Sequence, residues 1–249
     1  MAGSSTTDPD TVALHGWTAV PRDADALLQG KPYLHKPEPL LVRDIRFPSD
    51  DPIVARVQQY AKEKLPSQTY SHSMRVYYYA TAILTQQFSS HTGLSLSTLA
   101  LTSLLHDIGT THSNLRATQL SFEFYGGLLA RELLQTQLES TQSQAEAVCE
   151  AIIRHQDLGA VGSITLLGQL IQLATIHDNM GGHAALVHAD TRADVNRAFP
   201  RDGWSRCFAA TIREENGLKP WAHTTHLGEE EFPRGVEGNE LMAEYDGWK

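Results

Sequence analysis

A histidine followed directly by an aspartate pairs an imidazole donor with a carboxylate, and two such groups can grip one metal ion. His106-Asp107 stands in that way at the end of an apolar run, Leu104-Leu105-His106-Asp107-Ile108-Gly109. Three other stretches carry residues of the same chemistry: Tyr70-Ser71-His72-Ser73-Met74-Arg75, Ile152-Ile153-Arg154-His155-Gln156-Asp157 and Ala174-Thr175-Ile176-His177-Asp178-Asn179. His72, His106, Asp107 and Asp178 together offer two nitrogen and two oxygen donors, a set that suits borderline divalent ions such as zinc or iron. An ion held with one position open lowers the pKa of water there and makes hydroxide available near neutral pH.

Helical phasing places these residues on core-facing stripes. His72, Val76, Tyr79 and Ile83 follow i, i+4, i+7, i+11, as do Leu167, Ile171, Ala174 and Asp178, and Val148, Ile152 and His155 follow i, i+4, i+7. Residues so spaced share one face of a helix. A carboxylate on a buried face needs a charge partner or a metal. For Asp178 the alternatives to a metal are Arg75, Arg116 and Arg154, and a single core histidine can equally be a hydrogen-bonded structural residue. The joint spacing, a histidine, then His-Asp 34 residues on, then Asp 71 residues further, is more specific than any one of them.

The elements that must position these groups read as helices. Asp50-Asp51-Pro52 starts one running to about Lys64. Others are expected over about 67–88, 97–108 (stopped by Gly109), 121–136 (with Gly126-Gly127 inside), 143–155 (from a Ser143–Glu146 capping box) and 163–179 (stopped by Gly181-Gly182). Two more begin at Thr191 and at Asp202, the latter ending at Asn216-Gly217. Glycines inside a helix cost roughly 1 kcal/mol each, so Gly126-Gly127 points to close packing or an approaching ligand. The fold class is all-α. Residues 1–48, broken by Pro21, Pro32, Pro37, Pro39 and Pro48, form a loop-rich extension packing on the core. Residues 49–226 form the helical domain, and 227–249 a polar, surface-wrapping tail.

The 249 residues carry a net charge of -9 with no basic cluster, which argues against nucleic acid and anionic membrane surfaces. No apolar run approaches the roughly 20 residues that span a bilayer. Cys149 and Cys207 make no disulfide framework or Cys-x-x-Cys site, and Met1–Asp10 lacks a secretory pattern. A reducing, cytoplasmic location is expected. The apolar helices leave room for a self-association face, so a homo-oligomer is expected.

The order His…His-Asp…Asp on successive helices resembles the HD-domain superfamily of metal-dependent hydrolases. More closely, several segments are similar to the fungal cyanamide hydratases. These are Gly16-Trp17-Thr18-Ala19-Val20-Pro21, residues 70–76, Leu105-His106-Asp107-Ile108-Gly109-Thr110, Ser121-Phe122-Glu123-Phe124-Tyr125-Gly126-Gly127, residues 144–155 and 167–175, Ala198-Phe199-Pro200-Arg201, and Lys219-Pro220-Trp221-Ala222-His223-Thr224-Thr225-His226. The similarity spans about residues 15–226. It implies a single HD-domain helical bundle that hydrates cyanamide to urea at one zinc ion, Fe2+ being the alternative, by attack of metal-bound hydroxide on the nitrile carbon. It also implies His72, His106, Asp107 and Asp178 as ligands. Within that reading His155 is the proton donor or electrostatic stabiliser, and Thr111 and Gln156 orient the substrate. His177 departs from the pattern, in which Tyr can precede the Asp; a two-iron site would need both His155 and His177. The rivals are an HD phosphohydrolase acting on a nucleotide, a hydratase of another small nitrile or isonitrile, and a non-catalytic helical module.

Overall fold

The computed structural model describes residues 8–91 and 93–247. Its helices begin with two short ones, α1 (Pro9–Leu14) and α2 (Ala24–Leu27), on either side of strand β1 (Ala19–Pro21). Then come α3 (Pro52–Lys64), α4 (Ser67–Gln87), α5 (Leu96–Leu105), α6 (His112–Ala117), α7 (Phe122–Glu132) and α8 (Gln142–Ile153). After strand β2 (Ser163–Thr165) follow α9 (Leu166–Met180), α10 (Ala189–Ala198), α11 (Trp204–Leu218), α12 (Glu231–Glu237) and α13 (Ala243–Asp246). The class is all-α, as the periodicity predicts. No helix among the described residues is long and apolar enough to cross a membrane.

Local chemistry explains most of the boundaries. Asp51 caps α3, accepting from the Ile53 and Val54 amides, with Pro52 in the first turn. Ser95 caps α5 and Thr165 caps α9 through the Thr98 and Gly168 amides. Gly181, at φ 71°, ends α9 in the left-handed conformation that glycine adopts without strain. At α8 the expectation needs correcting. Thr141 is the cap, accepting from the Gln144 amide, and the Ser143 hydroxyl instead accepts from Trp17 Nε1 at 3.1 Å. A single sequence cannot tell which of two nearby hydroxyls caps when a distant indole claims one of them.

Packing sets the hierarchy. α4 and α9 are buried almost all round and run against one another through the main core. A smaller apolar cluster forms beside it from Leu115, Phe122, Trp204, Phe208, Ala209, Ile212, Phe232 and Val236. The predicted stripes are buried as phased: Val76, Tyr79, Ile83, Val148, Ile152, Leu167, Ile171 and Ala174 are inaccessible to solvent.

Two parts of the chain differ from the reading of the sequence. β1 pairs antiparallel with β2, Val20 opposite Ile164, and ties the N-terminal segment to the connection before α9. Three residues a side is too short an alternation to stand out. The segment after residue 227 is not a surface wrap alone: it folds into α12 and α13 and buries Phe232, Val236, Met242 and Tyr245. Its apolar residues are spread among Gly and Glu, so its composition reads as solvated.

Candidate metal centre

α5 stops at Leu105, and His106 and Asp107 begin a tighter turn, Ile108–Thr110. Neighbours on a regular helix point about 100° apart; leaving the helix here lets both side chains serve one spot. The turn is held against α7 because Gly109 has no side chain. A Cβ at Gly109 would sit 2.0 Å from the Phe122 carbonyl oxygen.

Four side chains crowd this spot. His106 Nε2 lies 3.2 Å from His72 Nε2 and 3.3 Å from Asp107 Oδ2. His72 Nε2 is 3.6 Å from Asp107 Oδ2, and His155 Nε2 is 3.9 Å from Asp107 Oδ1. All four residues are buried.

The hydrogen bonds on the far side of each ring fix its tautomer. His106 Nδ1 donates to the Ser103 carbonyl at 2.8 Å, and His155 Nδ1 to the Ile152 carbonyl at 2.7 Å. His72 Nδ1 donates to Asp178 Oδ2 at 2.6 Å. Each neutral ring therefore turns a bare Nε2 lone pair inward. Three lone pairs and a carboxylate facing one another repel unless a cation joins them. Consistently, both Asp107 oxygens are buried without a hydrogen-bond partner, an arrangement that is costly when left alone. The donor set fits a divalent ion, and His72, His106 and Asp107 offer ligand atoms all within 4.8 Å of one another.

The titration pattern follows from burial. Desolvation pulls His72 down to about 4 and lowers His155, so both are neutral near pH 7. For His106 desolvation is the largest single effect and acts downward, but the Asp107 side chain, the Ser103 carbonyl and the Asp178 charge together outweigh it and the net shift is upward. Asp107 is desolvated yet held well below the usual carboxylate range by the histidines around it.

Asp178 stands apart from the ligand expectation. Its carboxylate lies on the Nδ1 side of His72, opposite the bare nitrogen. It accepts from Arg75 Nε and Nη2 at 2.9 and 2.8 Å and from Arg201 Nη1 at 2.8 Å. These guanidinium groups overcome its desolvation and hold its pKa well below the usual value. Arg201 Nε in turn donates to Asp246 at 2.7 Å, and Asn239 Nδ2 donates to the Asp178 backbone carbonyl at 3.0 Å. Two guanidinium groups and two carboxylates thus form a charge-balanced network behind His72. Of its members, the sequence offered Arg75 as a partner for Asp178. Arg201 stood in a quoted motif without a role. Asp246 and Asn239 carried no signal, lying in a segment read as a tail.

The remaining candidates separate. Thr111 caps α6 through the Asn114 amide, and Gln156 accepts from the Thr224 hydroxyl at 3.1 Å. His177 is buried edge-on to Tyr79, ring centroids 4.9 Å apart, and joins no ligand group among the described residues. Glu123, quoted only inside a motif, is fully buried and pairs with His223 at 2.7 Å. A cavity of about 260 Å³ lined in part by Arg22, Asp25, Gln169 and His183 shares no residue with the cluster.

This helical frame and its His, His-Asp donors define an HD domain, and the HD domain family matches residues 69–180. Two Saccharomyces cerevisiae proteins, cyanamide hydratase DDI2 and cyanamide hydratase DDI3, are each 42% identical to the chain over 216 residues, covering 87% of it and 93% of each relative. The chain belongs to the cyanamide hydratase family.

Proposed function

We propose that this protein hydrates cyanamide to urea at one divalent metal ion, zinc in preference to Fe2+. The observation that carries the reading is the unpartnered Asp107 carboxylate facing three bare imidazole nitrogens. His72, His106 and Asp107 would hold the ion, a three-donor set that leaves a position open. Asp178 would act through His72, fixing its tautomer, as carboxylates behind metal-bound histidines do. When bound, the ion supplies Lewis acidity and lowers the pKa of water.

Hydration adds the water oxygen to the nitrile carbon and a proton to the nitrile nitrogen; the isourea so formed tautomerises to urea. His155, neutral through burial and anchored by its Nδ1–H, presents Nε2 as a base for the proton that water loses. The sequence reading made His155 the proton donor or an electrostatic stabiliser; to be the donor, a neutral imidazole anchored at Nδ1 must first take a proton. Thr111 and Gln156 are left out of substrate binding in this reading, because one caps α6 and the other is bonded to Thr224.

The charges around the cluster favour a small neutral substrate over a nucleotide. Phosphate needs free cations, yet Arg75 is bound to Asp178, Arg116 to Glu214 and Arg154 to Asp157. Urea release from cyanamide, measured with metal content on the same sample, tests the function. We expect urea formation with about one zinc per chain, and loss of both in His106→Ala. Nucleotide turnover without urea would favour the phosphohydrolase, and His106→Ala with full activity would reject the ligand assignment.

A further inference from the structure

α9 buries two glutamines on a face that the metal centre does not use. Gln169, Gln172, Leu173 and Ile176 follow i, i+3, i+4, i+7, and at about 100° per residue this face lies opposite the Leu167–Asp178 stripe. Gln172 has its partners: Nε2 donates to the Arg154 and Asp157 carbonyls at 2.8 and 3.1 Å, holding the turn after α8. Gln169 differs. Its side chain is buried, and Oε1 has no hydrogen-bond partner among the described residues. An amide oxygen so placed is costly, and such groups in native proteins call for an explanation.

This face forms part of the wall of the cavity of about 260 Å³, close in size to the smallest pockets that hold organic ligands. The N-terminal segment from Arg22 to Asp25 contributes to the wall, as do Leu158 and Gly159 after α8. Arg22 carries a second unpartnered atom. Its Nη1 donates to Asp157 Oδ1 at 2.8 Å, which fixes the guanidinium, while its Nε is buried with no acceptor among the described residues. Gly159 makes room for this group, since a Cβ there would meet Nη2 at 2.5 Å and Nε at 3.2 Å.

The residues around the cavity therefore offer an acceptor that lacks a donor and a donor that lacks an acceptor. Their charges disfavour ions. Arg22 is already paired with Asp157, and Asp23 and Asp25 repel an anion. A cation would leave the Arg22 Nε–H without an acceptor and set like charges together. Burial lowers the His183 pKa, so that ring adds no charge near pH 7. A carbamoyl group, –CO–NH2, supplies both missing partners while neutral. Leu158, Leu173 and Ile176 give a short hydrocarbon chain its apolar surface.

We propose that this cavity is a binding site, separate from the metal centre, for a neutral carbamoyl compound with a short apolar chain, its N–H donating to Gln169 Oε1 and its C=O accepting from Arg22 Nε–H. Ureides and carboxamides share this group, and the proposal does not depend on the cyanamide reading.

The test titrates the metal-loaded full chain by calorimetry with n-butylurea, pentanamide, pentanoate and n-pentylamine. We expect saturable binding of n-butylurea or pentanamide, the tighter of the two marking the ligand as ureide or carboxamide, and much weaker binding of the two ions. Gln169→Leu keeps the bulk of the side chain and removes an acceptor with no partner; it should weaken binding about tenfold. Arg22→Met, at a half-buried position, should weaken it at least as much, and Asp157 keeps Arg154 as its partner. Metal content stays at the wild-type level in both variants, because neither residue belongs to the metal centre. Absence of saturable binding by both neutral compounds, pentanoate or n-pentylamine binding as tightly as they do, or affinity unchanged in both variants each overturns the site. A crystal soaked with the tighter compound that shows only ordered water between Gln169 and Arg22 overturns it as well.

Discussion

The histidine rings at the cluster are aimed by what holds their outer nitrogens. For His72 that partner is Asp178, itself clamped by Arg75 and Arg201. Replacing Asp178 by Asn keeps the shape and removes the charge, leaving two buried guanidinium groups with a single carboxylate, Asp246. We expect metal affinity, read by chelator competition, to weaken about 10–100-fold, and stability in denaturant to fall by about 3–5 kcal/mol. A second residue-scale effect concerns His177. Burial, then Arg192, lowers its pKa to about 4. Between pH 6.5 and about 4 the unfolded chain binds a proton here that the folded chain does not, so this contribution to stability is present above pH 6.5 and lost as pH falls toward 4. At 1.36 kcal/mol per unit this amounts to about 3 kcal/mol. Unfolding free energies measured at pH 7 and pH 4.5 should therefore differ less in His177→Leu than in wild type.

At the level of elements, the turn after α5 depends on α7 coming very close. Gly109 lies against the Phe122 carbonyl, Gly126 approaches Gly109 from α7, and Gly127 lets α7 lie on Cys149 and Ile153 of α8. The two helical glycines thus serve packing, one of the two roles their sequence position allowed. Gly109→Ala must push α7 away from a backbone atom, which no rotamer change can relieve. We expect a loss of about 3 kcal/mol or more in thermal or denaturant unfolding, at or beyond the upper end of overpacking costs. Metal affinity should fall with it, because His106 and Asp107 sit on the same turn.

Across the whole molecule, the C-terminal segment is tied to the centre it does not itself enter. Asp246 holds Arg201, Asn239 holds the Asp178 backbone, and both bear on His72 through Asp178. Asp246→Ala removes a charged hydrogen bond to a fully buried guanidinium. We expect about 1.5–3 kcal/mol of destabilisation by denaturant unfolding, with weaker metal retention and an unchanged reaction product. Deeper retention than wild type in a chelator assay would contradict the link.

The helices, their phasing and the histidines of the centre were legible in the chain because each rests on local signals: caps, a 3.6-residue period, and ring types that few other chemistries need at such spacing. His106 and Asp107 are neighbours in sequence, so the chain itself offers them as a pair, while the turn that aims both at one spot depends on α7. The side of His72 on which Asp178 would sit did need it. Burial predicts that a carboxylate must have a partner, and phasing placed Asp178 on the core face, but Arg75 and a metal satisfy that demand equally well from sequence. Packing brings Arg201 and the residues after 238 around Asp178, contacts that only the folded chain shows. For the same reason Glu123 and His223, 100 residues apart, carried no signal as a pair: a hydrogen bond between distant side chains leaves no period in the sequence, and only the folded chain brings its two ends together.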